Sequence, residues 1–183
     1  MGNFSQYSSR IDKLWDGDIP NVFSTAYAGG CLMDILFYNI YLNVALFGKP
    51  KSAVYYPNFL PIAGTADTSG ALTLCYDGFT SQNIGAKDTW GVNFFQVEGE
   101  KGYIYATGGP VSLKQLHVVT HDGEETFDLQ GDKNRWYYEV QEVTRRLLAE
   151  DYDTINARLD TMLQVIETLE TCRKEAGIFF PGD

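Results

Sequence analysis

The chain has 183 residues, with 14 Lys+Arg against 24 Asp+Glu and a formal net charge of −10. That acidic balance works against a nucleic-acid binder and against docking on an anionic membrane surface, since both need cations facing phosphate. Hydrophobic residues at 44% and aromatics at 14% describe a folding chain, not a disordered one.

The length fits a single domain over residues 1–183, and no repeat, low-complexity tract or linker divides it. Cys31, Cys75 and Cys172 are odd in number and far apart. They spell neither a disulfide framework nor a C-x-x-C pair, so buried thiols in a reducing cytoplasm are expected. Met1 to Arg10 lacks the apolar stretch of a secretory signal. The most apolar run, Cys31 to Phe47, is interrupted by Asp34, Asn39 and Asn43 and is shorter than a membrane span needs. A soluble protein is the expectation.

Asn3–Ser9 reads as a short strand, followed by an irregular stretch through Asp18, Ile19 and Pro20. Gly29-Gly30 releases an apolar helix over Leu32–Phe47, with Gly48 and Pro50 as its stop signal. From Lys51 the pattern changes to short β-rich runs. These are Ser52–Tyr56, Gly70–Tyr76, Phe79–Ala86, Asn93–Val97, Tyr103–Thr107, Leu113–Thr120 and Glu125–Leu129. Asp77-Gly78 is a two-residue hairpin turn, with further turns at Gly99–Gly102 and His121–Gly123. Runs joined so closely pair antiparallel, because a parallel crossover needs a dozen residues or more.

Trp136, Val140, Val143 and Leu147 form one helical stripe, and Leu159, Met162/Leu163, Ile166 and Leu169 a second. The order predicts an α+β domain: a single, predominantly antiparallel β-sheet with helices packed on one face. Neither face of the candidate strands is plainly charged, as in Tyr103, Tyr105 and Thr107. The other face is therefore expected to be free for oligomerisation, covered by a second copy of the chain.

Asp34 and Tyr38 stand four residues apart on the first long helix, on one face a turn apart. A carboxylate beside a phenol can orient a hydroxyl and pass a proton. Spacing alone fits a second reading at least as well: a packed core tyrosine and an aspartate favoured by the helix dipole. Other sites read more plainly. His117 and His121 lie roughly 13 Å apart along a strand, too far to share one metal ion. Asp151 reads as a helix N-cap in the turn between the last two helices, and Lys87-Asp88 as an ion pair at a sheet end.

The segment Gly29-Gly30-x-Leu32-x-Asp34-Ile35-x-x-Tyr38 resembles the Gly-Gly-x-Leu-x-Asp-Ile-Gly-x-His/Tyr segment of the glucose–fructose oxidoreductase/inositol dehydrogenase/MocA family. The similarity continues at Leu46–Pro50, Asp67–Gly70, Tyr76–Phe79 and Gln96–Gly102, and reaches Arg173–Pro181. It covers nearly the whole chain, but only the C-terminal half of a family enzyme. The family's N-terminal Rossmann domain and Glu-Lys-Pro lysine have no counterpart here, and no G-x-G-x-x-G occurs. The chain thus looks like a truncated catalytic and oligomerisation domain, without a cofactor or metal site of its own.

The resemblance implies an acid/base role for Asp34 and Tyr38, with Tyr38 where many members have His. Tyr7 and Arg10 are weaker candidates for substrate contact, a strand end and a solvated arginine being the alternative. One departure is Leu36, where the family usually has Gly; its larger side chain is expected to alter helix packing or narrow the pocket. The implied reaction is hydride transfer between NAD or NADP and a secondary alcohol of a sugar, polyol or dihydrodiol. An ordinary phenol titrates near ~10, so a tyrosine base depends on a nearby cation, which the family keeps in the absent half. The isolated chain is therefore expected to be inactive. The rival reading is a non-catalytic dimerisation or ligand-binding module.

Overall fold

The computed structural model describes residues 1–61, 64, 66–128 and 130–183. The end of the strand predicted at Glu125–Leu129 falls on Leu129, outside the described residues. In chain order, β1 (Gly2–Tyr7) leads into a short helix α1 (Ile11–Trp15) and two 3-10 turns. A π-helical turn (Leu32–Leu36) then runs directly into α2 (Phe37–Phe47). Seven strands follow: β2 (Ser52–Asn58), β3 (Ser69–Tyr76), β4 (Phe79–Ala86), β5 (Phe94–Gly99), β6 (Gly102–Thr107), β7 (Leu116–Thr120) and β8 (Gly123–Phe127). Helices α3 (Tyr137–Leu148) and α4 (Tyr152–Glu175) close the chain.

All the described strands form one sheet in the order β2-β3-β4-β1-β5-β6-β7-β8. Each consecutive hairpin is antiparallel, and Asp77-Gly78 turns β3 into β4 with Tyr76 opposite Phe79. One pair departs from the pattern: β1 runs parallel to β4, with Phe4 opposite Asn83. These strands are not consecutive. The chain passes through α2, β2 and β3 between them, which supplies the long crossover that parallel pairing requires. Two local expectations are also corrected. The stretch after β1, read as irregular, contains α1, and the strand expected from Leu113 begins only at Leu116.

Alternation along the strands sends one set of side chains to the helices. Ala53 and Tyr55 of β2 sit opposite Leu74 and Leu72 of β3, and all four are buried with Ile40 and Val44 of α2 and Val165 and Leu169 of α4. Farther along the sheet, Phe4 stacks on Phe95, their centroids 5.9 Å apart, under Leu42 and Phe47. The asparagines that interrupt the apolar helix are also buried. Asn43 Nδ2 donates to Asn83 Oδ1 at 3.0 Å and to the Asn39 carbonyl at 2.8 Å, tying α2 to β4. The stretch Thr25–Phe47 has the length and composition to cross a membrane, but half of it is buried inside the domain.

Helix α3 packs chiefly against α4. Its stripe Trp136, Val140, Val143 and Leu147 is exposed instead of packed on the sheet. Asp151 caps α4, accepting from the Thr154 N–H at 3.2 Å, and pairs with Arg146. Cys31 and Cys172 are buried thiols, whereas Cys75 is only half-buried.

Candidate functional site

The site is built where the Gly29-Gly30 loop enters the π-helical turn. A Cβ on Gly29 would lie 2.7 Å from the Val22 carbonyl oxygen, and one on Gly30 would strike the Asp67 carboxylate. Gly30 also has φ +131°, a conformation side chains avoid. The loop therefore packs tightly on its own chain.

Asp67 organises the entry to the helix. Its Oδ2 accepts from the Leu32 N–H at 2.8 Å and from Tyr55 Oη at 2.6 Å, while its Oδ1 is buried without a partner among the described residues. Burial pushes the Asp67 carboxyl upward, opposed by these donors and by Lys87. Burial and the adjacent Asp67 charge likewise raise the Tyr55 phenol, and burial raises the Cys31 thiol, so neither is a ready nucleophile or base.

Lys87 follows β4 and reaches beneath the same loop. Its ammonium is 2.8 Å from Asp34 Oδ2 and donates to the Val22 carbonyl at 2.9 Å and the Gly30 carbonyl at 3.3 Å. It also lies 5.4 Å from the centre of the Phe23 ring. The Lys87 side chain is fully buried; that of Asp34 is 38% exposed. The lysine thus does form an ion pair at the sheet end, but with Asp34. Its neighbour Asp88 accepts from Ser69 Oγ instead, at 3.0 Å.

Tyr38 begins α2 one turn beyond Asp34 and is 40% exposed. Its Oη has no hydrogen-bond partner among the described residues and lines an open cavity of about 670 Å³. Tyr41 lines it from the same helix, and Arg135, Trp136, Glu139 and the 110–113 loop complete its walls. Trp136, which periodicity placed in a helical stripe, sits at the start of α3, and the Arg135 guanidinium rests 4.1 Å over its ring. Leu36 does not narrow this cavity. It is fully buried, and a Cβ on Gly85 would come within 2.7 Å of its Cγ, so it wedges the π turn against β4. A π turn is a local insertion in the helical ladder and often accompanies a functional residue.

The structure does not bring Tyr7 and Arg10 to this cavity. Tyr7 lines a separate recess of about 370 Å³ with Tyr56 and Ile84. Arg10 is exposed, and its backbone N–H donates to the Lys87 carbonyl at 2.7 Å. His117 stacks on Tyr105 at 4.4 Å and bonds Glu124 at 3.0 Å. Among the described residues no group of three or more His, Cys, Asp or Glu side chains could hold a metal ion. Sequence reading missed Lys87 as part of the site, did not name Arg135, and gave Trp136 only as part of a helical stripe.

No family model matches the chain. It is 28% identical over 182 residues to the scyllo-inositol 2-dehydrogenase (NADP(+)) IolU of Bacillus subtilis, spanning 99% of this chain and 55% of that enzyme. It is 29% identical over 183 residues to the uncharacterized oxidoreductase YgjR of Escherichia coli, spanning 99% of this chain and 54% of that protein. The chain therefore spans about half the length of the curated relatives it matches. Among solved structures, an oxidoreductase from Agrobacterium radiobacter in complex with NAD+, L-tartaric acid and magnesium superposes with a TM-score of 0.64 at 15% identity, over 96% of this chain and 54% of that one. A 3-ketoreductase from Actinomadura kijaniata in complex with NADP and TDP-benzene gives 0.69 at 17%, over 94% and 52%. Likeness at these identities concerns the fold.

Proposed function

We propose that this chain, a C-terminal domain of the glucose–fructose oxidoreductase/inositol dehydrogenase/MocA family, holds the substrate of an NAD(P)-dependent oxidoreductase acting on a sugar, polyol or dihydrodiol. The observation that carries the reading is the free Tyr38 phenol facing a cavity of about 670 Å³, one helical turn from a carboxylate held by a buried ammonium. Tyr38 exchanges a proton with the substrate's secondary hydroxyl. Asp34, held in place by Lys87 at 2.8 Å, accepts a hydrogen bond from an adjacent hydroxyl of the substrate. The dinucleotide, which would take or give the hydride, belongs to a nucleotide-binding half outside this chain, so the chain alone turns nothing over.

Association belongs to the same reading. The sheet face away from the helices exposes Val54, Tyr56, Ile84 and Tyr103, and a second copy of the chain would cover it. The acidic charge and free thiols fit a cytoplasmic protein with no nucleic-acid or membrane partner.

Two measurements test the proposal. Calorimetric titration of the chain with NADH and NADPH gives no saturable binding; micromolar binding overturns the division of labour. In the protein that carries both halves, Tyr38→Phe lowers kcat by about 10²–10⁴ on a polyol or sugar substrate. A loss below about tenfold removes Tyr38 from the chemistry and favours a binding module without catalysis.

A further inference from the structure

The cavity at Tyr38 has a neighbour. Ser112, Leu113, Gln130 and Arg135 line both it and a second hollow of about 390 Å³, so the two hollows adjoin. The second hollow carries Lys114, Lys133 and Arg135 against a single carboxylate, Asp128. Three cations to one anion in one hollow is the reverse of the chain's 14 to 24. Among the described residues none of these cations has a carboxylate within ion-pair distance. Lys133 and Arg135 rest instead on aromatic faces, 5.0 Å over Tyr137 and 4.1 Å over Trp136.

The loop that presents them is shaped for it. Gln130 Nε2 donates to the carbonyls of Lys133 and Asn134, both at 2.9 Å. Asp128 Oδ1 accepts from the Gly131 N–H at 3.0 Å. These bonds curl the loop that brings Lys133 and Arg135 into the hollow with Lys114 and tie one Asp128 oxygen to the loop, while a second carboxylate, Glu139, lines the adjoining hollow at Tyr38. Arg135 reaches both hollows and is the hinge between the cations and the phenol.

We infer that the substrate carries an oxyanion, a phosphate or carboxylate substituent on the polyol or sugar, seated on Lys114, Lys133 and Arg135 while its secondary alcohol meets Tyr38. The inference rests on the oxidoreductase reading for the alcohol end only; the anion end stands on charge and shape. Cations without acidic partners, one of them a guanidinium with a planar donor fork, suit either oxyanion.

The test is binding to the whole chain, which needs no turnover and so fails or succeeds independently of Tyr38 chemistry. Glucose 6-phosphate, glucuronate, glucose and inorganic phosphate are titrated at low salt, with binding followed by calorimetry and by amide shifts at residues 112–114 and 130–136. At least one of the anionic sugars binds about tenfold or more tighter than glucose, and tighter than inorganic phosphate, with affinity falling as salt rises. Preference for glucose 6-phosphate over glucuronate assigns a phosphate, the reverse a carboxylate. The exposed double variant Lys114→Glu/Lys133→Glu abolishes the preference. Lys13→Glu/Lys101→Glu, an equal change of net charge outside the two hollows, leaves it within about twofold. Equal binding of charged and neutral sugars, inorganic phosphate binding as well as the sugars, or persistence of the preference in Lys114→Glu/Lys133→Glu overturns the inference.

Discussion

Lys87 and Asp34, far apart in sequence, close an ion pair of 2.8 Å in which the cation is wholly buried and the anion is reached by solvent. That asymmetry fixes the order of two mutational effects. Asp34→Ala strands an ammonium that water cannot reach, and costs about 3 kcal/mol, as for other broken buried pairs. Lys87→Met leaves a carboxylate that can hydrate and two carbonyls short of a donor, and costs less, about 2 kcal/mol. Urea unfolding of both variants decides; the reverse order would mean that Asp34 does not anchor the lysine.

Tyrosines 38 and 55 offer a second contrast. Tyr38 Oη has no partner among the described residues, so Tyr38→Phe leaves stability within about 0.5 kcal/mol of wild type. Tyr55 Oη is buried and donates to Asp67 at 2.6 Å. Removing it from a carboxylate already short of donors costs about 1.5–3 kcal/mol. Thermal or urea melts of the two Phe variants separate a hydroxyl kept for chemistry from one kept for structure, and matching losses would erase the distinction.

The glycine that opens the helix is irreplaceable for two reasons at once. At Gly30 an added methyl meets the Asp67 carboxylate and sits at φ +131°, whereas at Gly48, with φ +80°, nothing lies within 4 Å. Gly48→Ala therefore pays conformational strain only, about 1 kcal/mol, while Gly30→Ala costs at least about 3 kcal/mol. A Gly30→Ala protein as stable as Gly48→Ala would show that the loop can move off Asp67.

Much of this was written locally in the chain. Asp77-Gly78 fixed a hairpin because a tight turn needs a positive φ, and the buried asparagines that interrupt α2 mark the side of that helix tied to β4. What escaped was decided at a distance. The parallel pairing of β1 with β4 depends on what fills the crossover, and no residue of β1 encodes it. Lys87 and Asp88 are adjacent in sequence but lie in the bend just past β4, where Lys87 pairs with Asp34 and Asp88 accepts from Ser69, partners set by the fold at a distance. The stripe on α3 was legible as a helix, while periodicity could not say that its apolar side would remain uncovered by this chain.

The open sheet face makes a further prediction. If copies of the chain associate there, charge placed among Val54, Tyr56 and Ile84 breaks the contact without touching the core, because these side chains point away from the helices. Sedimentation at micromolar concentration shows an oligomer for wild type and a monomer for Ile84→Glu. A monomeric wild type would leave the face without a partner of its own kind.

Asp67 gives a pH dependence whose sign is opposite to that of the carboxylates around Arg173. Glu170 and Asp183 are held below the usual carboxylate range by hydrogen bonds from that guanidinium, so their stabilisation is present at neutral pH and is lost only as strong acid protonates them. Asp67 is raised by burial above its ordinary value of 3.8. Between those two values the folded protein retains a proton the unfolded chain has released, and stability therefore falls as pH rises through the window. Asp67→Asn keeps the shape and cannot titrate. On acidification from neutrality the stability of wild type relative to Asp67→Asn must increase, by at most about 1.4 kcal/mol per pH unit crossed. Urea midpoints of the two proteins measured in parallel from pH 7 to 4 settle the sign. A gap that stays constant, or moves in favour of Asp67→Asn, would mean that Asp67 remains ionised throughout and that the helix entry is held by a full charge.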